Sequence, residues 1–235
     1  MEAGISASPP TTSSTSSLDA PLLVPTRQSK FWFQDGSIIL HVENATYKVH
    51  RSVLESYSSV LRERFSKACH DGIQRSQGEG QVPSVKLEDV SNNDFMQFLA
   101  LLYPRDFQDR ESLTPTQWSS LLTMSHTFQI PSLRKLAISF ISSTASDVDK
   151  IAFGHMHGVK EWLLPSYDAL ANRNDPLTVE EGWRLGVDVV VRIAKARELR
   201  LTLGERWSEV GGEVLRRIFE DLELPLEGAG IDADM

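Results

Sequence analysis

Six histidines and one cysteine are the side chains best suited to nucleophilic or metal chemistry. Cys69 directly precedes His70, and a thiol beside an imidazole can form a nucleophilic pair. Adjacent side chains on a helix diverge, however, and the polar segment that follows predicts a loop. We therefore interpret Cys69 as a surface or half-buried residue. A hydrolase or redox enzyme built on Cys69 and a histidine stays as an alternative hypothesis.

Three other histidines have structural interpretations. His155 and His157 are two residues apart, so their rings point about 200° apart on a helix and cannot bind one metal ion unless the segment is extended. His155 lies on an apolar stripe, which predicts a hydrogen-bonded core histidine. His126 lies near a helix end, where it complements the helix dipole. The sequence predicts no metal, no cofactor and no catalytic residue.

Phosphate and nucleic-acid chemistry have little support. Gly78 and Gly80 form an isolated glycine pair in a polar segment, without the strand and helix that flank a phosphate-binding loop. One predicted helix carries a short basic strip, Arg192, Lys195, Arg197 and Arg200. Asp188 and Glu198 interrupt the strip, which favours a solvated helix face over a nucleic-acid contact.

Composition excludes further classes. The chain of 235 residues has 24 Lys and Arg against 32 Asp and Glu, a net charge of −8 that disfavours direct nucleic-acid binding. A single cysteine excludes an intramolecular disulfide and makes a cysteine-based zinc site improbable. No apolar run reaches the roughly 18 residues of a membrane span, and the N-terminus does not resemble a signal peptide. These features predict an intracellular protein, cytoplasmic or nuclear.

The first 143 residues divide into a tail and an α+β segment. Residues 1–29 are rich in Ser, Thr and Pro, which predicts a disordered tail. From Ser37 the apolar residues alternate, and residues 43–46 supply a turn, which predicts a β-hairpin. Two short helices, a surface loop at 66–84, a strand at Val85–Leu87 and three helices follow. This pattern gives three strands and five helices between residues 30 and 143.

Helix start signals support these assignments. Ser91 and Asp94 resemble a capping box, and Thr114 with Gln117 forms a fuller one around Pro115. A further helix from Pro131 carries one apolar stripe, namely Leu133, Leu136, Ala137, Phe140 and Ile141.

Beyond residue 143 the helical period continues without strands. Residues 144–223 are predicted to form a helical extension, and residues 224–235 a flexible acidic tail. Thr178 and Glu181 cap one of its helices. The next helix carries apolar residues at helical spacing, namely Val187, Val190, Val191, Ala194 and Leu201. We expect these stripes to pack on each other or on the preceding domain.

The order of these elements, with their residues, resembles the BTB/POZ domain. The resemblance is carried by four segments: Phe33–Leu40, Tyr47–Leu54, Ser58–Phe65, and Val85–Leu87 followed by Asp94–Tyr103. It covers residues 30–143. The downstream stretches Gly158–Pro165 and Thr178–Gly186 are similar to fungal BTB proteins that carry a helical C-terminal region.

The resemblance implies a BTB/POZ fold, with short strands flanking a helical cluster, and a function in protein–protein association, commonly as a dimer. Asp35 and His50 match positions where the family has an Asp and a His, and we expect a structural hydrogen-bonded pair. The aromatic segment and the first helix are candidates for a dimer seam, which comprises Phe31, Trp32, Phe33, Val53, Leu54 and Tyr57. The aromatic segment fits the monomer's own sheet equally well.

Three tryptophans of the extension admit two interpretations. Trp162, Trp183 and Trp207 either anchor its core, which we favour, or form a surface for a partner helix or peptide. We therefore predict a non-enzymatic interaction module that forms a homodimer and acts as an adaptor or scaffold. The alternatives are a substrate adaptor of a cullin-type ubiquitin ligase and a transcriptional or chromatin cofactor that does not touch DNA.

Overall fold

The computed structural model describes residues 26–70, 82–104 and 113–220, with the side chains of residues 26–29, 69 and 70 left out. The predicted tail is therefore described only from residue 26. The acidic tail at 224–235 and most of the loop at 66–84, with Gly78 and Gly80, lie outside the described residues.

A four-stranded sheet forms one side of the N-terminal domain. Its strands are β1 (Thr26–Trp32), β2 (Ile38–Val42), β3 (Ala45–Val49) and β4 (Ser84–Leu87), in the order β1-β3-β2-β4. The predicted hairpin is β2 and β3, which pair antiparallel with Ile38 opposite Val49 and Val42 opposite Ala45. This register leaves a turn of two residues, Glu43 and Asn44, and not the four that the sequence suggested.

The strand count from the sequence was too low by one. Strand β1 pairs in parallel with β3, so the segment up to Trp32 belongs to the monomer's own sheet. Its Ser, Thr and basic residues carry no alternating apolar pattern, and the strand is recognisable only from its tertiary partner. Phe31, the one large apolar residue whose side chain β1 buries, is 2% exposed in the domain core.

Gly36 lets the chain pass close to β3 just before β2 begins. A Cβ atom at this position would lie 2.8 Å from Lys48 Cγ and 3.0 Å from the Lys48 carbonyl carbon. Any side chain here would push the turn away from the sheet, so the approach requires glycine.

Five helices complete the described part of this domain, as the sequence predicted. They are α1 (Arg51–Tyr57), α2 (Ser59–His70), α3 (Asn92–Leu102), α4 (Pro115–Thr127) and α5 (Pro131–Thr144). The predicted caps form: the Ser91 side chain accepts from the Asp94 N–H, and Thr114 and Gln117 make a complete capping box. The core lies between the sheet and α2 to α5 and contains the fully buried Tyr47, Phe65, Phe95 and Trp118.

The remaining described chain is helical. It contains α6 (Asp147–His157), a 3₁₀ turn (Lys160–Trp162), α7 (Leu163–Asn172), α8 (Val179–Leu185), α9 (Val187–Leu203), a second 3₁₀ turn (Gly204–Arg206) and α10 (Trp207–Phe219). These helices share a second, smaller core, in which Tyr167 of α7 stacks on Phe219 of α10 with ring centroids 3.7 Å apart. The α+β class, followed by a helical region, is thus confirmed.

The predicted inward face of α9 was wrong at every position except Val190, which is half-buried and packs against the second core. Val187, Val191 and Leu201 are 81%, 59% and 76% exposed, and Ala194 is also exposed. The helix packs on its neighbours through a different set of residues, Val189, Ile193 and Ala196, which are buried. Helix α9 therefore has two apolar faces, and the described part of the chain covers only one.

One segment belongs to both cores. Phe153 of α6, Val159 and Trp162 join the core of the N-terminal domain, whereas Val148 and Ile151 on the same helix α6 join the second core. Because Phe153 lies on a different face of α6 from Val148 and Ile151, the domain and the helical region both pack against this helix.

Candidate interaction surfaces

The predicted pair Asp35 and His50 is in contact at the start of α1. His50 Nε2 lies 3.2 Å from Asp35 Oδ2, and the hydrogen bond from His50 holds the pKa of the Asp35 carboxyl below its usual range. The Tyr103 hydroxyl accepts from the His50 backbone N–H at 3.2 Å and lies 3.3 Å from His50 Nδ1. Phe33 packs against both rings, with centroids 5.1 Å from His50 and 4.8 Å from Tyr103. These contacts tie the turn before β2, the start of α1 and the end of α3 together.

The predicted dimer seam divides into buried and accessible residues. Phe31 and Leu54 lie in the monomer core and contribute no surface. Trp32, Phe33 and Val53 are half-buried. Tyr57 is 53% exposed and lies four residues after Val53, so the two share one face of α1.

An apolar cavity of about 220 Å³ opens beside Tyr57, between α1, α3 and α5. Apart from Ser132, its lining is apolar: Tyr57, Phe98, Leu101, Leu102, Ile130, Leu133 and Leu136. Leu136, which the sequence placed on the inward stripe of α5, is instead 37% exposed. Exposed aromatic and aliphatic side chains around an apolar cavity are typical of a protein-binding surface.

The sequence model of the BTB/POZ domain family matches residues 32–145. These residues are a BTB/POZ domain. The match lies within two residues, at each end, of the range that the sequence resemblance covered. No curated protein matches the chain. BTB/POZ domains are protein-interaction modules and are generally non-enzymatic, so protein binding is the function that this domain supplies.

Two of the three extension tryptophans are core residues. Trp162 packs into the BTB/POZ core and donates its indole N–H to Ser142 Oγ at 2.8 Å. Trp207 packs in the second core and donates to Asn172 Oδ1 at 3.1 Å. Trp183 is 83% exposed, so it alone of the three offers a surface to a partner.

Three of the four residues in the basic strip of α9 are half-buried and bind backbone carbonyls, and only the fourth, Lys195, is exposed. Arg197 donates to the carbonyl oxygens of Asn174 and Asp175 at 3.0 and 2.9 Å, and Arg200 reaches the Asn172 carbonyl at 3.4 Å. These carbonyls lie at and just beyond the C-terminal end of α7, where orphan backbone acceptors favour cations. Arg192 donates to the Ile218 carbonyl near the end of α10. Three guanidinium groups thus reach helix ends, which weakens the nucleic-acid interpretation, and the buried Nε of Arg200 has no hydrogen-bond partner among the described residues.

The two histidines of α6 have separate partners. His155 Nε2 lies 2.6 Å from the Tyr167 hydroxyl in the second core, and His157 Nε2 lies 2.7 Å from Ser119 Oγ of the BTB/POZ domain. Burial lowers the pKa of both, that of His157 to about 4, with help from the nearby Arg134 cation. His126 is exposed in the last turn of α4. The rings diverge, as the spacing predicted.

The remaining chemical hypotheses gain no support in the described ranges. Among residues 26–70, 82–104 and 113–220, no three His, Cys, Asp or Glu residues are placed to hold a metal ion. Within the same ranges no helix is long and apolar enough to cross a membrane. The side chains of Cys69 and His70 lie outside the description, so the structure does not test a pair between them.

Sequence reasoning named Trp183 as a possible partner surface but missed the exposure of Val179, Val187 and Val191. Val179 and Trp183 are four residues apart in α8, and both are more than 70% exposed. Their spacing was a usable signal, because two apolar residues on one face of a seven-residue helix imply a contact for that face. The same holds for Val187 and Val191.

Proposed function

We propose that the protein is a non-enzymatic adaptor or scaffold whose BTB/POZ domain self-associates. The observation that carries the proposal is the apolar surface around the cavity between α1, α3 and α5. Tyr57 and Leu136 stand exposed at its edge, and Val53 continues the surface along α1. A monomer that exposes such residues loses hydrophobic stabilisation that association would restore.

The seam used in this proposal is narrower than the predicted one. It consists of Val53 and Tyr57 of α1 with Leu136 of α5, bordered by the half-buried Trp32 and Phe33. Among the described residues, β1 is an edge strand of the sheet, with β3 as its neighbour. Phe31 and Leu54 hold this surface from beneath and do not enter the contact.

Light scattering of the eluting full chain at tens of micromolar tests the proposal. The wild type should exceed the mass of one chain, and Tyr57→Asp should lower the particle mass by at least half, because it places a charge in the seam. Ser52→Asp is the matched control, since Ser52 is exposed on a different face of α1. A wild type that is strictly monomeric, or a Tyr57→Asp particle of wild-type mass, would refute self-association through this seam.

A second candidate is a substrate adaptor of a cullin-type ubiquitin ligase. It is favoured by the way α6 and Trp162 fix the helical region against the BTB/POZ domain, because an adaptor must hold its cargo at a set position relative to the ligase. Binding of the purified full chain to a purified cullin N-terminal region tests it. A folded sample that shows no binding would exclude this function and leave the scaffold proposal intact.

A further inference from the structure

A cavity of about 770 Å³ lies between α7 and α10 in the helical region. Its walls include Leu164, Asp168 and Asn172 of α7 and Trp207, Gly212 and Leu215 of α10. Residues three, four or eight positions apart lie on one side of a helix, so each helix turns one side to the cavity. We call this cavity the α7/α10 groove. It is separate from the cavity beside Tyr57, with which it shares no lining residue.

The two ends of the α7/α10 groove differ in chemistry, because the two helices run in opposite directions. Trp207, the first residue of α10, donates its indole N–H to Asn172, the last residue of α7. Leu164 and Leu215 each lie eight residues from this contact, so both are at the other end, about 12 Å away. The groove is therefore apolar at one end and polar at the other.

The polar end carries an excess of negative charge. Asp168 and Glu205 are exposed there, and neither forms an ion pair within the described ranges. Arg200 also lines the groove, but its Nη1 donates to the Asn172 carbonyl at 3.4 Å, where the C-terminal end of α7 opposes its charge. Two carboxylates against one guanidinium favour a cationic ligand at this end.

Gly212 leaves space in the wall of the groove. Glycine destabilises the interior of a helix relative to alanine, so the two adjacent glycines of α10 call for a reason. Gly211 has one, because a Cβ atom there would lie 2.8 Å from Trp207 Cε2. A Cβ atom on Gly212 would meet no atom of the described chain within 4 Å. The missing side chain instead lets the backbone of a bound segment approach α10 closely.

We propose that the α7/α10 groove binds a basic segment of a partner protein. An apolar side chain of that segment lies against Leu164 and Leu215, and a Lys or Arg side chain lies beside Asp168 and Glu205. Burial of the apolar side chain contributes affinity, and the two carboxylates select the charge of the partner.

The charge of this chain argues against an occupant from the chain itself. The four segments outside the described ranges are 1–25, 71–81, 105–112 and 221–235, and each contains more Asp and Glu than Lys and Arg. A second copy has a net charge of −8 and is also disfavoured. The proposal therefore does not depend on self-association through the BTB/POZ seam.

A display library of random peptides of about 12 residues, panned on the full chain, tests the proposal. Enriched peptides should pair an apolar residue with Lys or Arg no more than about seven positions away, since this separation spans the groove in a helix. Fluorescence anisotropy then measures the affinity of the most enriched peptide. Tyr57→Asp should leave this affinity unchanged, whatever it does to the mass of the particle.

Gly212→Leu should weaken the binding of this peptide at least about 10-fold, because the new side chain fills the groove. Leucine favours a helix more than glycine does, so the variant should keep its fold. Thr202→Leu is the matched control, because Thr202 is exposed on α9 and does not line the groove. A peptide that binds Gly212→Leu as it binds the wild type lies elsewhere and would overturn the proposal.

Neutralising the polar end tests the charge of the partner. Asp168→Asn together with Glu205→Gln should weaken the same peptide at least about 5-fold at about 50 mM salt, and less at about 300 mM. Glu198→Gln is the control, because Glu198 is exposed on α9 outside the groove and forms no ion pair within the described ranges. A library without enrichment, enriched peptides without basic residues, or an affinity insensitive to the two neutral substitutions would each refute the proposal.

Discussion

The BTB/POZ domain buries its apolar residues around a hydrogen-bonded sheet, whereas the helical region packs amphipathic helices and ties their ends with arginines. The domain core includes residues that are completely inaccessible on every strand of the hairpin. The second core is smaller, and beside it Arg192, Arg197 and Arg200 hold carbonyls at the ends of α7 and α10. The domain leaves Tyr57 and Leu136 exposed beside its apolar cavity, whereas the helical region exposes more large apolar side chains, namely Met156, Val179, Trp183, Val187, Val191 and Leu201. The comparison indicates that the helical region, with the smaller core, covers its apolar side chains less completely than the domain does.

The largest predicted effect comes from comparing Trp162, which packs in the BTB/POZ core, with Trp183, which is exposed on α8. Trp162→Ala should lower the free energy of unfolding by about 3–5 kcal/mol, because it opens a cavity in the BTB/POZ core and removes the hydrogen bond to Ser142. Trp183→Ala should change the stability of the monomer by no more than about 0.5 kcal/mol, since the side chain is exposed. Urea denaturation followed by circular dichroism measures both. Equal losses in the free energy of unfolding would contradict the placement of Trp162 in the core and of Trp183 on the surface.

Lowering the pH should reduce the free energy of unfolding through His157, which lies at the junction of the two regions. His157 is buried with a pKa of about 4, whereas in the unfolded chain the value returns to about 6.5. The unfolded state therefore binds the proton first, and stability falls as pH drops from about 6.5 towards 4, by about 2 kcal/mol at pH 4.5. His157→Gln should remove this part of the pH dependence. Urea denaturation at pH 7 and pH 4.5 measures the change in the free energy of unfolding. A change as large in His157→Gln as in the wild type would contradict this role of His157.

Removing a hydrogen bond between an arginine side chain and a helix-end carbonyl should lower the stability of the helical region by a smaller amount. Arg197→Met keeps the aliphatic stem and removes the hydrogen bonds to the carbonyls after α7, so we expect a loss of about 1.5 kcal/mol. Arg206→Met, at an exposed arginine of the second 3₁₀ turn, is the control and should be nearly neutral. Urea denaturation of the two variants side by side measures their free energies of unfolding. Equal values would show that the hydrogen bonds of Arg197 do not stabilise the helical region.

The smallest predicted effect concerns the start of α8. Thr178→Ala removes one half of a capping box in which Thr178 and Glu181 satisfy each other's backbone N–H groups. We expect a loss of about 1 kcal/mol. Thr202→Ala serves as the control, because Thr202 is an exposed residue inside α9 whose hydroxyl bonds only a helix carbonyl. Thermal melts of the two variants should separate, and coincident melts would mean that α8 is held by its neighbours alone.

The sequence was informative wherever the signal is local. Alternation located the hairpin, and the caps at Ser91, Thr114 and Thr178 located three helix starts, because these signals depend only on near neighbours. Strand β1 was missed because its only support is the parallel pairing with β3. The contact between Asp35 and His50 was expected from the resemblance, but Tyr103, which completes the network, lies 53 residues from His50 and could not be inferred.

The buried face of α9 was mispredicted for a different reason. Hydrophobic periodicity reveals that a helix has an apolar face, but it does not say which partner covers that face. With Val187 and Val191 on one side and Val189 and Ile193 on the other, the sequence offered two faces, and the structure selected the second. The first is left exposed by the described chain.

Because Phe153 of α6, Val159 and Trp162 belong to its core, the BTB/POZ domain can complete its core only after these residues have been synthesised. A nascent chain that has emerged only as far as residue 145 contains the whole matched BTB/POZ sequence but lacks Phe153, Val159 and Trp162 of its core. At about 5–20 residues per second, the ribosome needs about 1–3 s more to deliver them. During that interval the newborn domain exposes the site that Trp162 later fills, so chaperone capture in the cell should be concentrated on this stage.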